Sequence, residues 1–106
     1  MPEENALFSN RLRETAVHER PQERLQQLGP AALADTELLA MVVRNGTRGQ
    51  DVMTLAAKLI HASGSLAGLI NWREADFRRH KGLGRVKALQ LMATMEIARR
   101  VMGQPL

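Results

Sequence analysis

The residues best suited to chemistry in this chain are Lys81-Gly82-Leu83-Gly84-Arg85-Val86-Lys87-Ala88. Two glycines bracket one apolar residue, and cations stand on both sides. Glycine tolerates backbone angles that other residues avoid, and it adds no side chain to block an approaching group. Leu83 is expected to turn inward and pin a bend to the core. A helix opening at Arg85 would leave its first backbone N–H groups without intrahelical partners, with the positive end of the helix dipole behind them. Such a terminus favours anions, phosphate above all. In this arrangement Gly82, Leu83 and Gly84 offer backbone N–H contacts, and Lys81, Arg85 and Lys87 supply side-chain charge. A lone Gly-Leu-Gly would be a tight turn and nothing more. The surrounding cations, and Ala88 four residues after the second glycine, favour the phosphate site.

Charge is skewed toward the same region. Residues 1–64 hold seven Lys/Arg against eight Asp/Glu, a balance of −1, whereas residues 65–106 hold eight against three, a balance of +5. An isolated arginine on a helix is ordinarily a solubilising group. A basic half around a phosphate-shaped bend points instead to nucleic acid. Other chemistries find no residues to carry them. The chain lacks cysteine, and its three histidines, His18, His61 and His80, are far apart in sequence without metal-ligand spacing. A zinc site needs about four converging ligands, and none is expected here. No Gly-x-x-x-x-Gly-Lys-Ser/Thr occurs, and no nucleophile stands beside a plausible base. Asp35 and Asp51 read as helix caps, and the six methionines as core filler. The carbonyls of a Gly82–Gly84 bend could hold a monovalent cation, as some hairpins do, but nothing in the sequence requires one.

The elements that must position the bend are helical. The 106 residues suit one domain with a modest core. Leu, Ala and Met dominate the apolar residues, and no strand pattern appears. Residues 1–19 are polar with scattered apolar positions. Pro21 suits the first turn of a helix reaching Leu28, with Leu25 and Leu28 inward and Gly29-Pro30 ending it. Asp35 is expected to cap a helix to about Arg44, with Leu38, Leu39, Val42 and Val43 across the core. A loop over 45–50 leads to a helix capped by Asp51, with Val52, Leu55, Ala56, Leu59 and Ile60 buried and Gly64 as its stop. Ser65 caps a short turn carrying Leu66, Leu69 and Ile70. Asn71 is expected to cap a helix from Trp72 to His80. The last helix opens at Arg85 and, if it reaches Met102, spans about 27 Å. Ala88, Leu91, Met95, Ala98 and Met102 form its buried face, widened by Leu89, Ala93 and Ile97. The absence of a signal-peptide core or membrane-spanning run predicts a cytoplasmic setting without membrane contact.

Two segments share one plan. The helix before His80, the Gly-Leu-Gly bend and the last helix resemble a helix-hairpin-helix, a motif that implies DNA binding without sequence preference. The helix over 36–44, the loop through Gly46 and Gly49 and the helix over 52–62 repeat it with a longer, degenerate bend. Tandem units of this kind place both bends on one side, so Arg44, Thr47 and Arg48 form a secondary DNA-binding set. Alternatively, 45–50 is an ordinary connector.

Ordered blocks across roughly residues 20–102 resemble the N-terminal domain of the bacterial RadC family. These are Arg20-Pro21-Gln22-Glu23-Arg24-Leu25, Leu28-Gly29-Pro30-Ala31-Ala32-Leu33-Ala34-Asp35-Thr36-Glu37-Leu38-Leu39-Ala40, Arg44-Asn45-Gly46-Thr47, Gly82-Leu83-Gly84 with Ala88, and Glu96-Ile97-Ala98-Arg99-Arg100. The resemblance implies a DNA-repair label and a following JAB/MPN-type domain with a zinc site. That domain would start beyond Leu106, which marks this chain as an excised N-terminal piece with no enzymatic activity of its own and residues 103–106 as the start of a linker. Two departures stand out. His80 occupies a place usually aliphatic, which loosens the expected anchoring of the bend, and Asn45 replaces a small hydroxyl residue.

The sequence therefore predicts an all-α, compact five- to six-helix bundle of tandem helix-hairpin-helix type over 20–102, with its first hairpin degenerate, binding the DNA phosphate backbone. The rival is a protein-interaction or scaffold domain, which would show an exposed apolar patch and a neutral bend. A metalloprotease assignment inherited from the whole family would find no residues here to perform it.

Overall fold

The structure, a computed structural model, describes residues 20–44 and 51–104. Over these residues the fold is all-α, a compact bundle of five helices and two short 3-10 turns. Helix α1 (Arg20–Leu28) and the 3-10 turn Pro30–Ala32 lead into α2 (Asp35–Val43). After the 45–50 segment, α3 (Val52–Ser63) and a second 3-10 turn (Ala67–Asn71) lead to α4 (Glu74–Arg78) and α5 (Arg85–Gly103). Helix α2 packs on α3 and α4 on α5, and the second 3-10 turn bridges α3 and α5.

The core follows from helical periodicity. Leu39, Ala40 and Val43 of α2, Leu55, Ala56 and Leu59 of α3, and Ala88 and Leu91 of α5 close around Phe77 and Leu69. Phe77 and the α3 residues are fully buried. A phenylalanine or leucine taken wholly from water contributes about 1.5–3 kcal/mol, so these few side chains dominate the stability of so small a domain. Trp72, half-buried, meets Phe77 edge-on with centroids 5.1 Å apart.

Caps set most boundaries. Asp51 accepts the Met53 N–H at 2.8 Å and opens α3, as its sequence position predicts. Gly64 stops α3 with φ 87°, a left-handed conformation that favours glycine. Ser65 Oγ accepts the Gly68 N–H at 3.0 Å. Two caps differ from expectation. Asp35 lies within the first turn of α2; the cap position is Ala34, whose N–H donates to Glu37 Oε1 at 3.0 Å. Asn71 does not open the fourth helix either. The chain is extended at Trp72 and Arg73, and α4 starts only where Asp76 takes the Arg73 N–H at 2.9 Å. In both cases an acidic side chain three residues into the helix satisfies the cap amide, a reach not visible when only the residue before the helix is considered.

Five apolar assignments also change. Leu28 is 61% exposed, because α1 rests on Pro21 and Leu25 and its last turn clears the bundle. Leu89 and Ile97, expected to widen the buried face of α5, are 41% and 64% exposed, and Ala93 is exposed as well. Neighbours cover only one side of α5, so the second apolar stripe faces water. Met102 is also exposed, at the rim of an apolar groove of about 440 Å³. Leu38 and Val42 of α2, Leu66 and Ile70, and Met95 and Ala98 of α5 line that groove.

Candidate functional site

The bend between α4 and α5 is built from local hydrogen bonds and one anchor. Gly82 has φ 98°, which a side chain would oppose. The Leu83 N–H donates to the His80 carbonyl at 3.1 Å and closes the turn. The Leu83 side chain, 5% exposed, enters the core beside Ala88. Gly84 is extended (φ −87°, ψ −175°) and precedes the first helical residue, Arg85. A Cβ built on Gly84 meets nothing within 4 Å, so the approach to the helix start is open.

This geometry moves the available amides. Leu83 was expected to offer its N–H outward, but the turn consumes it. The first intrahelical bond of α5 runs from the Ala88 N–H to the Gly84 carbonyl at 3.0 Å, and no side chain caps the terminus. The amides of Arg85, Val86 and Lys87 therefore precede the helical ladder, at the positive end of a helix of 19 residues. Leu83 serves as the pin and residues 85–87 as the donors.

Cations surround this terminus. Lys81, Gly84 and Arg85 are exposed, and Lys87 is half-buried with its Nζ donating to Gln90 Oε1 at 3.4 Å. Within the described residues none of Lys81, Arg85 and Lys87 forms an ion pair, and neither does Arg79. The nearby acids are engaged elsewhere: Glu74 pairs with Arg78 at 3.2 Å, and Asp76 caps α4. Within the described residues the cations of the bend are thus left without a carboxylate partner.

His80 anchors the bend instead of loosening it. Its ring stacks on Trp72, with centroids 5.6 Å apart and planes 18° from parallel. Burial, together with the positive charges of Arg79 and Lys58, holds this imidazole below its usual pKa. Lys58 of α3 lines a surface cleft together with His80, so α3 reaches the bend. His61, far from His80 in sequence, lies in the same surface cleft. Sequence reading missed Lys58 and His61 as site candidates, although both are exposed on α3 outside the buried stripe of Leu55 and Leu59. No group of three or more metal-binding side chains occurs among the described residues.

Of the secondary set, only Arg44 falls within the described residues. Arg44 is exposed at the end of α2 and donates to Gln22 Oε1 of α1 at 2.7 Å. Thr47 and Arg48, like Asn45, lie outside the described residues. Among the described residues no helix is long and apolar enough to cross a membrane.

These features define a small all-helical domain with a cationic bend at the head of its longest helix. The chain belongs to the UPF0758 family, whose N-terminal family model matches residues 12–89, and the RadC-type resemblance is borne out in this family. It is 46% identical over 96 residues to the UPF0758 protein of Psychromonas ingrahamii, covering 91% of this chain and 43% of that one. The UPF0758 proteins of Halorhodospira halophila and Marinobacter nauticus are 48% and 49% identical over 88 residues, each match covering 83% of this chain and 39% of the relative. The chain thus spans about two-fifths of the length of these relatives. No solved structure matches it.

Proposed function

We propose that this domain holds DNA by its phosphate backbone, as a tandem helix-hairpin-helix module whose second hairpin makes the principal contact. One observation carries the reading. The uncapped start of α5 stands beside Lys81, Arg85 and Lys87 without a competing carboxylate among the described residues. A phosphate there would accept from backbone amides and be neutralised by the flanking cations. Backbone contacts position a protein on DNA without reading bases, so binding is independent of sequence. With only a few phosphates engaged it is weak and salt-sensitive, about 10⁻⁴ to 10⁻⁶ M. The domain performs no chemistry itself; it brings the remainder of a UPF0758 protein to DNA, in a cytoplasmic and repair-related setting.

The test is a titration of the chain with duplex, junction and single-stranded DNA at two salt concentrations. Lys81→Glu combined with Lys87→Glu abolishes duplex binding while helicity and melting stay unchanged. Undiminished affinity in the double variant would reject the assignment. The apolar groove between α2, the second 3-10 turn and α5 favours a second reading, a scaffold domain docking a protein partner. Under that reading the wild-type chain fails to bind DNA in any of the three forms.

A further inference from the structure

Between α3 and the bend runs an open cleft of about 560 Å³, lined by Thr54, Ala57, Lys58, His61, Ala62 and His80. We infer that Lys58 and His61, facing His80 across this cleft, form a second phosphate contact that continues the anion path from the start of α5. The inference rests on the proposed DNA-binding function and adds residues to it.

The cleft is built by the fold and not by sequence proximity. Leu55 and Leu59 turn one side of α3 into the core, and this turns Lys58 and His61 outward as exposed residues. Ala57 and Ala62 are too small to fill the space between the polar side chains. On the opposite wall, stacking on Trp72 fixes the His80 ring, and the next residue is Lys81 at the bend itself. A backbone strand following the bend would therefore meet this cleft next.

The cleft chemistry suits an anion with several acceptor oxygens. Its polar lining consists of an ammonium group, two imidazoles and a hydroxyl, and none of its lining residues is acidic. Asp51, the acid bonded to the lining residue Thr54, is engaged by the Met53 N–H at 2.8 Å and by Thr54 Oγ1 at 3.3 Å. The positive charges of Arg79 and Lys58 already disfavour protonation of His80. A phosphodiester in the cleft would offset those charges and draw the His80 titration upward.

The experiment is duplex binding by the whole chain, followed by fluorescence anisotropy across a salt series. The probe is a short duplex of arbitrary sequence. In the Lys58→Gln/His61→Gln variant, affinity is expected to fall roughly five- to tenfold near 0.1 M salt. The slope of log K against log salt is expected to drop by about one. Lys58→Arg retains wild-type binding, which separates loss of charge from loss of structure. In parallel, NMR titration of His80 shows its midpoint rising when the duplex saturates the chain. Unchanged affinity, slope and His80 midpoint, with binding still lost in Lys81→Glu/Lys87→Glu, would overturn the cleft contact and leave the bend intact. A wild-type chain that binds no duplex would overturn both.

Discussion

The two ends of α5 make opposite use of one helix. At its start, backbone amides and cations face water, and the acids of α4 are engaged with Arg78 and the Arg73 amide. Toward its end, Glu96 binds Arg99 at 2.6 Å and Arg100 at 3.0 Å, so one carboxylate engages both arginines and offsets one of their two charges. Arg99 also donates to the Ile70 carbonyl, tying the helix to the second 3-10 turn. Beside it, Met95, Ala98 and Met102 border the apolar groove. The same residue type therefore carries different meaning at the two ends. Arg85 contributes field because no partner cancels it within the described residues, whereas Arg99 and Arg100 act as structural and solubilising groups. A count of basic residues over residues 65–106 does not distinguish them.

The strongest way to break the contrast is to unpin the bend. Leu83→Ala removes a buried anchor and is expected to cost about 2–5 kcal/mol, a fall in Tm of roughly 10 °C or more in a domain this size. Thermal melting checks it, and DNA binding should fail with the fold. Next in size is Gly68→Ala, at the turn that supports the groove. A Cβ there would stand 2.2 Å from the Ser63 carbonyl oxygen, so backbone must move. The expected loss is about 1–3 kcal/mol, seen as a lower denaturant midpoint without loss of affinity once folding is accounted for.

Filling the groove sharpens the comparison from the other side. Ala98→Leu places apolar volume into it and is expected to stabilise the fold by about 0.5–2 kcal/mol. DNA affinity should not change, since the groove and the bend lie at different ends of α5. A smaller effect comes from His80. Its folded-state pKa lies below the ordinary 6.5, so the unfolded chain takes up the proton first as pH falls. This contribution to stability is present above about pH 6.5 and is lost as pH drops through the folded value. Tm measured from pH 7.5 to 5 should show a modest decline that His80→Leu reduces. The smallest effect is expected for Glu96→Gln. The carboxylate is exposed and sits far along α5 from the bend, beyond a Debye length of about 8 Å at physiological salt. Binding and melting should both match the wild type; a clear gain in affinity would show that the far end of α5 also meets DNA.

Much of the local structure was legible because its causes are local. Asp51 three residues before Thr54, Gly64 after the α3 stripe, and Gly82-Leu83-Gly84 before Arg85 announce a cap, a stop and a bend from neighbouring residues alone. The cap at Asp76 was missed because its effect runs backwards, to the amide of Arg73. The exposure of Leu89 and Ile97 was missed because helical spacing reveals stripes without revealing how many of them find a neighbour. Leu83 was assigned as a donor because its sequence position does not show that the His80 carbonyl takes its amide first.

The sequence by itself determined that this is a helical domain with a glycine bend and a positive half, since propensity, capping and charge act over a few residues. Only the tertiary structure decided which cations remain uncompensated, which apolar stripe of α5 is covered, and that Lys58 and His61 of α3 meet His80. Those outcomes depend on how α3 and α5 lie against each other. That placement is set by the volumes of Phe77, Leu55, Leu59 and Leu91 in a shared core, and no short window of sequence contains it.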